Sequence, residues 1–149
     1  MTREANLYKV HPRVLKKIWP TVRLVMIESS PATMKPTPES LRLLLSHLVS
    51  GTALMWVVAE VETNNILGCA ITVLEKDRLS GTSYVNIYAI YAFEDLSPAL
   101  LKRSYEALEQ YARSVGASRI IGYTNQQGVA DLARYTGFDV STFYMVKEL

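Results

Sequence analysis

One cysteine, two histidines and no long apolar run stand in a chain of 149 residues, and each scarcity removes a class of function. A lone Cys69 allows no intramolecular disulfide. It lies in an apolar strand pattern and reads as a buried, inert thiol rather than a nucleophile. His11 and His47 both fall in helical patterns, the first as a cap-region residue and the second as surface or satisfied core. Neither a Cys-His nor a Ser-His-Asp constellation can be built from them, and no metal site is expected. No run of like charge reaches five, and the formal net charge is +2, so nucleic acid is not an expected partner. No apolar stretch approaches the ~20 residues of a membrane span. Residues 1–6 are polar and carry Arg3 and Glu4, unlike a secretory signal peptide, so a cytoplasmic location is expected.

The length is that of one domain, 1–149, able to bury a core without staples. Residues 7–10 alternate as a short strand. Pro12 suits a first helical turn, and Val14, Leu15, Ile18, Trp19, Val22, Val25 and Met26 form one apolar face. Pro20 sits inside that pattern and predicts a kink or a break near Trp19. Residues 29–38 read as a loop. Thr37 then caps a second helix with Ser40 in the capping-box place, Leu41, Leu44, Leu45 and Leu48 as its stripe, and Gly51 as its stop. Residues 53–61 and 66–74 read as a hairpin around Glu62-Thr63-Asn64-Asn65, and residues 75–83 as a polar connection.

The stretch from residue 84 organises the rest. A strand at 84–91 is rich in tyrosine, and alternation places Tyr84, Asn86, Tyr88 and Ile90 on one face. A helix at 97–115, a strand at 119–124, a helix at about 126–136, the Gly137-Phe138 pair and a last strand at 141–147 complete the pattern. Helices, an antiparallel hairpin and then β-α-β-α-β predict a mixed α+β, α/β-type three-layer sandwich: a central mixed, mostly antiparallel sheet with helices on both faces.

Leu100-Leu101, Leu108, Tyr111-Ala112 and Gly116, then Asn125, Val129-Ala130, Leu132 and Gly137-Phe138, give the chain a likeness to a known family. In order and spacing it resembles the GNAT superfamily of acyl-CoA-dependent N-acyltransferases, from about residue 10 to residue 149. The resemblance implies acetyl-CoA or another acyl-CoA as cofactor, lying where the fourth and fifth strands splay apart. It implies cofactor contacts from the backbone of Ile90, Tyr91 and Ala92, from the helix start at Ser97 and Ala99, and from Asn125. With Tyr8-Lys9-Val10-His11-Pro12 ahead of an aromatic helix and the residue 92–99 loop later, the overall pattern also resembles GNAT-like proteins encoded by tailed bacteriophages, some of them virion components, which would place the chain in a virion among protein partners.

The chain departs from the family pattern at three points. The family's Gln/Arg-x-x-Gly-x-Gly/Ala loop reads here Ala92-Phe93-Glu94-Asp95-Leu96-Ser97-Pro98-Ala99, with no glycine, no basic residue and about three residues fewer. Glycines let bare backbone wrap a phosphate, and two carboxylates oppose one. The family's tyrosine acid falls on Ala133, and Tyr135 lies about 200° further round a helix, where packing at the helix end is expected. Deprotonating an amine needs a base, and the candidates are Glu60, which a hairpin end would leave solvated, and Tyr88; Asn86 beside them cannot take a proton. Two functions remain open: N-acyl transfer to an amine, with Glu60, Tyr88 and Tyr135 as candidate catalytic groups, and a non-catalytic subunit of a larger assembly.

Overall fold

The computed structural model describes residues 4–29, 35–124, 127–141, 145, 147 and 149. Strand β1 (Ala5–Lys9) leads into helices α1 (Pro12–Ser29) and α2 (Pro38–Ser50). Strands β2 (Ala53–Glu60), β3 (Ile66–Lys76) and β4 (Ser83–Ala92) follow, then α3 (Pro98–Ser114), β5 (Arg119–Gly122) and α4 (Gln127–Tyr135). Among the described residues the strands form one five-stranded sheet in the order β1-β2-β3-β4-β5. The first three junctions are antiparallel and β4–β5 is parallel. A parallel pair needs a crossover, and α3 supplies it.

The caps that the sequence predicts are present. Thr37 Oγ1 accepts from the Ser40 N–H (3.1 Å), and Ser40 Oγ accepts from the Thr37 N–H (2.8 Å). Gly51 ends α2 at φ 83°, a backbone conformation costly to any residue with a Cβ. Pro20, by contrast, does not divide the first helix: α1 is assigned as one 18-residue element. Pro20 and Lys16 are both exposed. Proline offers no N–H to the Lys16 carbonyl, so that one helix bond is absent.

Two layers of core enclose the sheet. Leu15, Val22, Met26, Leu41 and Leu48 from α1 and α2 pack on Ala53, Met55 and Ile71. Val14, expected on that face, is 47% exposed. On the other face, Leu100 of α3 packs with Ala5, Val58 and Leu67. There too the Trp56 ring meets Tyr111 edge-on at 5.0 Å, and its indole N–H donates to the buried Thr72 hydroxyl (2.8 Å). Beyond α4, Gly137 (φ 96°) turns the chain so that Phe138 packs on Tyr105 of α3, with ring centroids 5.2 Å apart. The expected last strand falls largely on residues 142–144 and 146, outside those described.

Gly68 is held by close approach. A Cβ there would lie 2.9 Å from the Tyr91 carbonyl oxygen, nearer than real Cβ contacts come. Gly68→Ala must push β3 from β4, and it is expected to lower unfolding free energy by about 1–3 kcal/mol in urea denaturation. A loss under about 0.5 kcal/mol, the usual range for surface changes, would show that the strands yield without strain.

Candidate functional site

The site is built by an irregularity in β4. In the β3–β4 ladder Thr72 pairs with Ile87 and Ile71 with Ala89, so Tyr88 is an extra residue without a partner. Such a bulge reverses which face, and which edge, every later residue presents. Residues paired in register share a face. Asn86 opposite Val73 and Ala89 opposite Ile71 therefore both lie on the α1–α2 face, while Ile87 opposite Thr72 and Ile90 opposite Ala70 lie on the α3 face. Uninterrupted alternation, which grouped Tyr84, Asn86, Tyr88 and Ile90, is thus corrected: Tyr84 and Asn86 share their face with Ala89 and Tyr91, and Ile90 is on the other.

The edge changes parity at the same point. The Ser83 carbonyl accepts from the Ser118 N–H (2.8 Å), so residue 83, and by alternation 85 and 87, turn their main chain toward β5. The Phe93 N–H donates to the Leu67 carbonyl (2.9 Å), so residues 93, 91 and 89 turn theirs toward β3. Past the bulge, the outward-facing main chain is that of Ile90 and Ala92. Pairing with β5 ends at Ile87 opposite Gly122, while β4 continues to Ala92. The two strands therefore part, and the amides and carbonyls of Ile90 and Ala92 line the parted side. The side chains of Tyr88 and Ile90 are 61% and 51% exposed.

At the mouth of this cleft stands the start of α3. Ser97 is its N-cap, and its hydroxyl accepts from the Leu100 N–H (3.2 Å). Pro98 has no N–H, so the cap and the proline together remove two of the amides that a helix start presents to an anion. The Ala99 N–H, with no partner inside the helix by position, points the same way. Glu94 and Asp95 are exposed in the approach, and Leu96 anchors the loop on the α3-side core.

The other sequence-predicted residues are dispersed. Glu60 is not solvated: it is 8% exposed and its carboxylate accepts from the Thr63 hydroxyl. Its register partner Ala5 belongs to the α3-side core, and β3 stands between its strand and β4. The hairpin draws it in because the Asn64 N–H bonds the Glu60 carbonyl, closing a tight turn with Asn64 at φ 58°. Tyr135 is 73% exposed at the end of α4 and is not packed there, whereas Ala133 is half-buried. Asn125 lies outside the described residues. Tyr91 reaches the opposite face, where its hydroxyl donates to Glu28 of α1 (3.2 Å), and that hydrogen bond holds its phenol above the ordinary range. His11 Nδ1 accepts from the Arg13 N–H (3.1 Å), and His47 Nδ1 bonds the Thr52 hydroxyl (2.8 Å), both local structural roles. The Tyr88 bulge, which makes the cleft, has no marker in the sequence.

Two cavities lie outside the segment from Tyr88 to Ala92. One, of about 140 Å³, is lined by Leu15, Leu48 and Met55, and the other, of about 360 Å³, by Tyr105, Arg113, Arg119 and Phe138. Neither is lined by residues 88–92. Among the described residues no group of three or more His, Cys, Asp or Glu could hold a metal, and no helix is long and apolar enough to cross a membrane.

A mixed sheet whose fourth strand bulges and parts from the fifth, with helices on both faces, is the GNAT-like fold. The described architecture matches acetyltransferases of that fold over nearly the whole chain. The glucosamine-6-phosphate N-acetyltransferase from Arabidopsis thaliana superposes with a TM-score of 0.69 at 15% identity, over 97% of this chain and 98% of that one. The ribosomal-protein-alanine N-acetyltransferase from Brucella melitensis biovar Abortus 2308 gives 0.69 at 14% identity, over 97% and 99%. AAC(6')-Iy in complex with the bisubstrate analogue CoA-S-monomethyl-acetylneamine gives 0.72 at 10% identity, over 98% of both chains. At these identities the likeness is one of fold. No protein-family model and no curated protein matches the sequence.

Cys69 is buried, and burial pushes its thiol up to about 11. The thiolate is the reactive form, so the native protein is expected to resist iodoacetamide at pH 8 and to be alkylated once unfolded. The sign of the pH effect follows. The folded state keeps this proton to higher pH than the unfolded one, so the thiol's contribution to stability is present below about pH 8.5 and is lost as pH rises toward 11. Rapid alkylation of folded protein at pH 8 would contradict the burial.

Proposed function

We propose that this chain descends from acyl-CoA-dependent N-acyltransferases and still binds acyl-CoA in the cleft between β4 and β5, with a degenerate grip on the pyrophosphate. The observation that carries the reading is the bulge at Tyr88, which turns the main chain of Ile90 and Ala92 to the side that β5 has left. An extended arm bearing amides, such as pantetheine, can pair with that edge as an added strand would. The α3 start would meet the diphosphate with the Ala99 and Ser97 amides. With the Leu100 amide capped and no glycine between residues 92 and 99, that grip is weak. Transfer would proceed by direct attack of an amine on the thioester. Tyr88, exposed at the bulge, is nearest by position among the candidate proton carriers; Glu60 and Tyr135 stand further off.

A second reading is a non-catalytic subunit of a larger assembly, such as a tailed-phage virion. The loop favours it: Glu94 and Asp95 occupy the approach where a working diphosphate site needs bare amides. The open cleft favours the first reading.

Thermal denaturation with acetyl-CoA separates them. A ligand that binds only the folded state raises Tm in step with its concentration. The expected result is a saturable rise at millimolar acetyl-CoA, and an affinity about tenfold tighter in the Glu94→Gly, Asp95→Gly double variant, since two like charges leave the approach. No rise at millimolar acetyl-CoA in either protein would sink the acyl-CoA reading, and co-purification in a stoichiometric assembly would support the second.

A further inference from the structure

Beside the start of α1, at the corner where α2 ends and β2 begins, the α1–α2 side of the core holds a cavity of about 140 Å³. Two small residues leave the space. Gly51 closes α2 at φ 83°, and a Cβ built on it would meet nothing within 4 Å. Ala53 opens β2 with a single methyl group. The inner wall is made by Leu15, Leu48 and Met55, all buried. The outer wall includes Lys9, Pro12 and Gly51, all exposed, so the cavity can be reached from water. Apolar cavities of about 150 Å³ stay dry and take up a molecule the size of benzene. The wall atoms of an empty one lose dispersion partners, which a hydrocarbon group restores.

Charge at the rim narrows the ligand further. Among the described residues Lys9 is the one charged group on the lining, and no ion pair joins its ammonium to a carboxylate. The first turn of α1, where Pro12 lines the same rim, carries no acidic residue. A cation without a partner beside an apolar hole suits a molecule with a hydrocarbon body and an anionic head. We propose that this cavity binds a small amphiphilic carboxylate, with a hydrocarbon group of about six carbons in the hole and the carboxylate at Lys9. An ion pair this exposed is weak, so the hydrocarbon supplies most of the affinity and Lys9 the choice of head. The site is separate from the cleft: β3 stands between β2 and β4. It stands or falls independently of the acyl-CoA reading.

The test follows the Met55 methyl by NMR in the intact protein, titrated with hexanoate. Acetate, the head without the body, and hexylammonium, the same body with the opposite charge, are the controls. The expected result is a saturable shift with hexanoate at millimolar concentration and none with acetate. Affinity should fall at least about threefold for hexylammonium, and by a similar factor for hexanoate in Lys9→Met, which keeps the chain length and removes the charge. Ala53→Val fills the hole and should silence the hexanoate shift. No saturable shift with hexanoate, or equal affinity for hexanoate and hexylammonium, would overturn the proposal. So would a hexanoate shift that persists unchanged in folded Ala53→Val. The wild-type titrations decide the matter even if Ala53→Val does not fold.

Discussion

The rest of the site depends on one surplus residue. Without Tyr88 out of register, residues 89 to 92 would keep the parity of residues 83 to 87, with the main chain of 89 and 91 facing β5 and those of 90 and 92 bonded to β3. β5 could then run alongside β4 to its end. A bulge bends the strand and raises its local twist, and here pairing stops at Ile87 and Gly122 while β4 runs on. Hydrogen-bonding groups exposed in this way are ordinarily a liability that proteins cover or blunt. An edge left open in the middle of a sheet, between two strands instead of at its rim, is therefore a feature with a use.

The same irregularity sorts side chains between the faces. Tyr91 is carried to the α1 side, where its hydroxyl meets Glu28 and its ring stacks edge-on with Phe93 at 5.2 Å. Ile90 and Ala92 are carried to the α3 side, alongside the trench. Gly68 allows the close β3–β4 approach opposite Ala92. The backbone of the cleft is thus fixed by the sheet itself, while the start of α3 is fixed by its own cap. The two differ in what they offer a ligand. The strand edge presents both donors and acceptors, which suits a neutral amide arm. The helix start presents few amides behind two exposed carboxylates.

Most of the architecture was legible in the sequence because it rests on local chemistry. The Thr37–Ser40 box, Gly51, Ser97 with Pro98, and Gly137 each mark an element boundary by a residue whose backbone or side chain has a preference of its own. The leucine stripe of α2 and the apolar run of β2 settle which surfaces are buried. Three things were not legible, for one shared reason: each is decided by a neighbour distant in sequence. The bulge is set by the β3 register. The burial of Glu60 is set by β1 and by its own turn. The pairing of Glu75 with Tyr84 and Asn86 needs the β3–β4 ladder, which carries β3 on to Lys76 through residues that read as a polar connection. Alternation from Val73 to Glu75 was the one signal for it in the chain.

The unpaired Asn86 oxygen bears on what kind of protein this is. A subunit retained only for assembly has no reason to keep an unsatisfied polar atom beneath its surface, because replacing Asn86 and Glu75 together by apolar residues of similar shape would relieve the desolvation cost. The α1–α2 face around it is otherwise closed by Val73 and Ala89 against aliphatic core. Those apolar neighbours leave the Asn86 oxygen no partner within the fold. The loop at residues 92–99 is of another kind, with Glu94 and Asp95 exposed on it. The two features weigh differently, however. Exposed carboxylates on a surface loop are screened by salt and cost folding little, so they can accumulate without selection. A buried unsatisfied acceptor costs folding continuously, and its presence asks for a compensating use.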